Sequence, residues 1–89
     1  MEPLPQQFLA DIAAEYHLSE KQTDVFIQRF SFINQSEQLL AADLNISHTA
    51  FRTHMTGVYK KFGIEGKGPG KSHKLYDFLV QTYRQSNFC

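Results

Sequence analysis

Cysteine is almost absent from this chain. Its 89 residues include one, Cys89, at the last position. An intramolecular disulfide is thereby excluded, and a reducing, cytoplasmic setting is expected. Long apolar runs are also lacking. No stretch approaches the roughly 20 apolar residues that span a bilayer. The opening Met1-Glu2-Pro3-Leu4-Pro5 has neither the basic start nor the apolar stretch of a signal peptide. Metal-ligand spacing is missing as well. His17, His48, His54 and His73 form no pattern, and His48 and His54, six residues apart, point to different faces of a helix. No serine, histidine and carboxylate arrangement stands out as a nucleophile system. Neither an enzyme, a cofactor, a small-molecule ligand nor a membrane partner is expected.

An excess of charge of one sign is the last absence. The formal net charge is +0, which counts against nucleic-acid binding, because such affinity rests on phosphate neutralisation. The distribution, however, is uneven. Residues 1–45 hold seven acids against Lys21 and Arg29, and residues 46–89 hold seven bases against Glu65 and Asp77. A basic half of this kind is the footprint of a polyanion-facing surface. The plain alternative is a solvated, dipolar exterior.

What is present is a helical period. The length fits one small domain, 1–89, with little surface to bury and a thin stability margin. Eight phenylalanines and four tyrosines supply much of the core volume. No stretch reads convincingly as a strand. The first helix is expected over about Pro5 to Tyr16, with Phe8, Leu9, Ile12, Ala13 and Tyr16 on its buried face. Ser19-Glu20-Lys21-Gln22 is a capping box that starts the second. Val25, Phe26, Arg29, Phe30 and Ile33 continue it, and Asn34 is expected to close it in the left-handed conformation. Ser36 caps a short third helix, Glu37 to Asp43. Ser47 caps a fourth, His48 to Phe62, which stops at Gly63. Residues 63–72 form a glycine- and lysine-rich loop. Ser72 is expected to cap the last helix, about 73–85, on which Leu75, Phe78, Leu79 and Thr82 form one stripe and Tyr76, Val80 and Tyr83 another. The expected fold is an all-α compact bundle of about five helices.

Residues 36–62 carry the most information. Leu39, Leu40 and Leu44 are the apolar positions of a short helix. A turn at Asn45 follows, with Ile46 as a plug, and then a longer amphipathic helix. This is the helix-turn-helix pattern, whose second helix lies in the major groove of DNA. Leu18-Ser19, Leu44-Asn45-Ile46-Ser47, Ala50-Phe51-Arg52-Thr53-His54 and Val58-Tyr59-Lys60-Lys61-Phe62-Gly63-Ile64 resemble the DNA-binding domain of LuxR-type response regulators. That family shows L-T, L-G-I-S, T-V-K-x-H and I-x-x-K-L-G-V. The spacing fits without gaps from Leu18 to Ile64, and the variant resembles N-terminal domains of large bacterial, often cyanobacterial, multidomain proteins.

The resemblance implies a bacterial transcription regulator that binds double-stranded DNA. Its base-facing positions fall on Arg52, Thr53 and Thr56, and its histidine on His54, with a backbone or packing role. Arginine grips guanine O6 and N7 through two parallel hydrogen bonds, and threonine offers a hydroxyl to a base or a methyl to thymine. Two departures stand out. Thr56 replaces a common Lys or Arg, and Gly57 weakens the helix by about 1 kcal/mol against alanine unless a close backbone approach requires it.

Phosphate contacts are expected from Ser36, Ser47, Thr49, His54, Lys60, Lys61, Lys67 and Lys71. The serines lie at helix N-termini, where free N–H groups favour anions; plain capping is their other role. Lys60 and Lys61 equally complement the helix dipole. Lys67 and Lys71 belong to the loop, read as a basic wing or a solubilising connector. A nucleotide-binding P-loop is not supported there, because Glu65 stands where glycine is needed and no strand precedes.

In the LuxR-type family the last helix commonly forms a dimer, which here implicates Tyr76, Val80 and Tyr83, unless they simply cover the bundle. The alternative function is a protein-protein interaction module on a helix-turn-helix scaffold within a larger signalling protein. Neutral charge, Thr56 and the additional first helix favour it.

Overall fold

In the computed structural model, which describes residues 4–64 and 70–86, the chain forms five helices. They are α1 (Gln6–Glu15), α2 (Glu20–Ser31), α3 (Glu37–Asp43), α4 (His48–Lys61) and α5 (Lys71–Ser86). Among the described residues there is no strand, so the fold is an all-α bundle.

Serines start three of these helices. Ser19 Oγ accepts the Gln22 N–H at 3.2 Å while Gln22 Oε1 accepts the Ser19 N–H at 3.0 Å, which completes the capping box of α2. Ser36 Oγ accepts from Leu39 N–H at 3.3 Å, and Ser47 Oγ from Ala50 N–H at 3.0 Å. Each bond satisfies an N–H that the helix itself leaves unpaired. The fifth helix departs from expectation. It begins at Lys71, and the Gly70 carbonyl accepts the first helical bond, from Lys74 N–H at 3.0 Å. Ser72 therefore lies inside the first turn, and Gly70 takes the capping position, which glycine fills well.

Three helices end alike. His17 (φ 58°), Asn45 (φ 58°) and Gly63 (φ 70°) adopt the left-handed conformation. In each case the next residue donates back five positions: Leu18 to Ala13 O at 3.0 Å, Ile46 to Ala41 O at 3.0 Å, Ile64 to Tyr59 O at 2.9 Å. The left-handed residue itself donates to Ala14, Ala42 and Lys60 respectively. This is the Schellman motif. Leu18, Ile46 and Ile64 all pack against the core, which holds each reversal in place.

Asn34 is not such a residue. Helix α2 ends at Ser31, Phe32 closes it with φ −114°, and Gln35 N–H bonds Phe32 O at 3.1 Å. The residue after Asn34 is polar Gln35, so no apolar side chain pulls a left-handed turn onto the core. Ile33 accordingly lies beyond α2 rather than on its face.

The core takes Leu4, Leu9, Ile12 and Ala13 from the N-terminal segment and Val25, Phe26 and Phe30 from α2. Leu40 and Ala41 of α3, Phe51, Met55 and Val58 of α4, and Leu75 and Leu79 of α5 complete it. No polar or charged residue is buried among the described residues. The Leu4 N–H donates to Phe30 O at 3.0 Å, tying the chain start to the end of α2.

An aromatic cluster joins the helices. The Phe62 ring stacks on Tyr16 at 4.3 Å and on Phe26 at 5.4 Å, and meets Phe78 edge-on at 6.0 Å. Phe78, one of the α5 stripe, stays 39% exposed, yet also meets Tyr16 edge-on at 6.2 Å. Tyr83 packs on Phe8 at 5.0 Å. Tyr76, Val80 and Tyr83 are partly buried against the core of their own chain.

Two stability outcomes follow from this packing. Phe62→Ala should cost about 3 kcal/mol, the low end for a phenylalanine truncation because the ring is partly exposed. Thermal melting by circular dichroism should then drop by more than about 10 °C, whereas Phe32→Ala, with no ring partner, should shift it little. His17→Gly should stabilise by about 0.5 kcal/mol. It removes left-handed strain of about 1 kcal/mol and adds part of that back as unfolded-chain entropy. Asn45→Gly should gain less, because asparagine tolerates that conformation. Urea midpoints of the two variants test this, and a loss in His17→Gly would show that the turn is unstrained.

Candidate nucleic-acid interface

Between Asp43 and His48 the chain has four residues, each with one task. Leu44 closes α3, Asn45 reverses the chain, Ile46 packs on the core, and Ser47 caps α4. The two helices are thereby held at a fixed offset, with α4 presenting one face to solvent.

At 100° per residue the faces of α4 separate cleanly. Phe51, Met55 and Val58 are buried. Thr49, Arg52, Thr53, Thr56 and Lys60 fall within about 60° of a line on the opposite side, and all five are exposed. Lys61 is exposed on the flank, and His54 is partly buried. No carboxylate occurs between His48 and Lys61. Among the described residues the side chains of Arg52, Lys60 and Lys61 make no hydrogen bond or ion pair. The stripe thus combines unpaired cations with threonines on one face of the helix.

The two central threonines are not idle. Thr53 Oγ1 donates to Thr49 O at 3.0 Å, and Thr56 Oγ1 donates to Arg52 O at 3.0 Å. Both are back-bonds across one turn of the exposed face. The cap serines accept rather than donate. Ser36 and Ser47 each retain an O–H, and both residues are exposed. Of the two loop lysines, Lys67 lies outside the described residues, and Lys71 opens α5 with its side chain outside them. The structure therefore brings Arg52, Thr53, Thr56, Thr49 and Lys60 together, with Lys61 beside them.

Two features are not visible in the residue pattern. The residue pattern groups Leu39 with Leu40 and Leu44 as apolar positions of α3. Leu40 is buried and Leu44 partly buried, but Leu39 is 58% exposed. Leu39 and Leu40 are 100° apart on the helix, and a seven-residue helix turns only part of its circumference to the core. The second is the close approach at Gly57. A Cβ built there would collide with Gln22 Nε2 of the α2 capping box, so this glycine accommodates a neighbouring side chain.

No described helix is long and apolar enough to cross a membrane. Among the described residues no group of three histidine, cysteine or acidic side chains is placed to hold a metal. Compared with family models, curated proteins and solved structures, the chain matches none.

The Gly57 contact has a measurable consequence. Gly57→Ala alone should gain less than the roughly 1 kcal/mol of its helix propensity, because Gln22 must leave its cap. In a Gln22→Ala background the same change should gain the full amount. A double-mutant cycle by urea unfolding should return a coupling of at least about 0.5 kcal/mol. Equal gains in both backgrounds would show that the contact is readily relieved.

Proposed function

We propose that this chain is the double-stranded DNA-binding domain of a bacterial, cytoplasmic transcription regulator. In this reading α3 and α4 act as a helix-turn-helix and residues 48–62 lie in the major groove. The observation that carries it is the outer stripe of α4, free of acids, exposed along its length, with an unpaired arginine at its centre. A 14-residue helix is about 21 Å long, and the major groove admits one helix. Arg52, Thr53 and Thr56 face the bases. Ser36, Ser47, Thr49, His54, Lys60 and Lys61 flank them toward phosphates, with Lys67 and Lys71 as further contacts. A second copy across Tyr76, Val80 and Tyr83 would place two such helices on two half-sites.

One observation favours a protein-docking module instead: Leu39, more than half exposed on α3, offers an apolar anchor. The two readings separate by salt. Fluorescence anisotropy with a mixed pool of labelled duplexes should give micromolar or tighter binding at low salt. With Lys60, Lys61, Lys67 and Lys71 on phosphates, the log–log slope should be about −3.6, or roughly a hundredfold loss between 50 and 200 mM salt. Arg52→Glu should weaken binding by at least about a hundredfold, given 1–3 kcal/mol for a lost arginine contact plus repulsion, with melting unchanged. Full affinity in that variant would remove the outer face of α4 from the interface. No binding by the folded chain at low salt would leave the docking module standing.

A further inference from the structure

The DNA-binding reading leaves open which base pairs the stripe prefers, and the threonine back-bonds bear on that question. A threonine hydroxyl has one proton to donate and two lone pairs to accept with. In Thr53 and Thr56 that proton is already committed, to Thr49 O and Arg52 O, each at 3.0 Å. Neither side chain then has a donor for guanine O6 or N7, adenine N7 or thymine O4. Each offers outward an acceptor oxygen and a methyl group. In the major groove the A·T pair is the one that shows both complements, the adenine N6 amino donor and the thymine C5 methyl. A G·C pair has an amino donor on cytosine but no methyl. Arg52 is the reverse case. It carries donors alone, has no partner among the described residues, and matches the two acceptors of guanine.

Resting on the DNA-binding reading, we infer that Thr53 and Thr56 select A·T base pairs, by methyl contact and as acceptors, beside a guanine held by Arg52. The spacing supports it. Arg52 and Thr53 are adjacent and Thr56 lies one turn on, so all three lie within about 6 Å of helix rise. That rise spans two base-pair steps of about 3.4 Å. The target is therefore a short mixed element, one G·C pair adjoining A·T pairs, with thymine read through its methyl.

The test begins with randomised duplexes selected on the intact chain. Selected sites should be enriched in A·T pairs adjoining a G·C pair. The decisive probe is the selected duplex with deoxyuridine in place of thymine, which removes the C5 methyl and leaves pairing and the minor groove unchanged. Each methyl read by a threonine should be worth about fourfold in affinity, the equivalent of one buried carbon group. Thr53→Ser and Thr56→Ser keep the oxygen and lose the methyl, so each should abolish the sensitivity at one thymine. Thr53→Val keeps the methyl and should retain it. Equal binding of the thymine and deoxyuridine duplexes, a comparison that needs no variant, would overturn the inference while the DNA-binding reading stands. Selection of sites without A·T pairs at those positions would do the same. No duplex bound by the folded chain at low salt would overturn both.

Discussion

The ring of Phe62 is where the packing of this bundle converges. It follows the last residue of α4 and stacks on Tyr16, which follows the last residue of α1. Its other neighbours, Phe26 and Phe78, belong to α2 and α5. Side chains from the ends of α1 and α4 and from within α2 and α5 thus meet at Phe62. The consequence for the site is rotational. Phe51 is fully buried near the start of α4, and Phe62 is held just past its end. With both ends anchored on the same side, α4 cannot turn about its axis without breaking one of them. The exposure of Thr49, Arg52, Thr53, Thr56 and Lys60 is therefore set by aromatic packing on the far side of the helix.

The second constraint is the way the chain reverses. Three left-handed residues, each followed by an apolar residue that reaches the core, end α1, α3 and α4. Strain at a non-glycine left-handed residue is of order 1 kcal/mol, and partial burial of the following leucine or isoleucine offsets a cost of about that size. The motif after α3 is the one that matters for the site. With reversal, plug and cap in consecutive positions, Asn45, Ile46 and Ser47, no slack remains between α3 and α4. A looser linker would let the outer stripe and the Ser36 end of α3 move independently.

Local signals made much of this legible in the sequence. The three serine caps, the apolar spacing of α4, the turn at Asn45 and the glycine at position 63 each act within one helix turn, so the chain alone displays them. What was missed depended on the surroundings. Histidine enters the left-handed region more often than most side chains but carries no turn signal as clear as glycine; at His17 that conformation lets Leu18 pack on the core. Asn34 is a left-handed residue by type and does not adopt it, for want of an apolar successor. Gly70 and Ser72 are both plausible caps, and the start of α5 is not decided by composition. At the candidate site, spacing identified which residues share the outer face of α4. It did not show that the Thr53 and Thr56 protons are spent on the backbone. Nor did it place Gln22, 35 positions away in sequence, against Gly57, or show Leu39 exposed.

Neutral net charge has to be reconciled with the proposed polyanion partner. Charge acts locally, because salt screens exposed charges beyond about 8–10 Å, and the bundle measures 40 × 26 × 25 Å. Asp11, Glu15, Glu20, Asp24 and Asp43 are exposed on α1, α2 and α3, and α4 carries no acid. A surface over the outer stripe therefore meets Arg52 and Lys60 with no acid on the same helix, while Glu20 and Asp24 of α2 and Glu37 and Asp43 of α3 belong to the helices packed beside α4. The same neutrality limits sequence-independent attraction, which scales with the number of phosphates neutralised. Because specificity is a ratio of specific to non-specific affinity, a domain with few phosphate cations depends more heavily on its base contacts. In the proposed interface those contacts are one arginine that only donates and two threonines whose only donor is already bound. An interface so composed obtains its discrimination from a match of donors, acceptors and methyls, and little of its affinity from net charge.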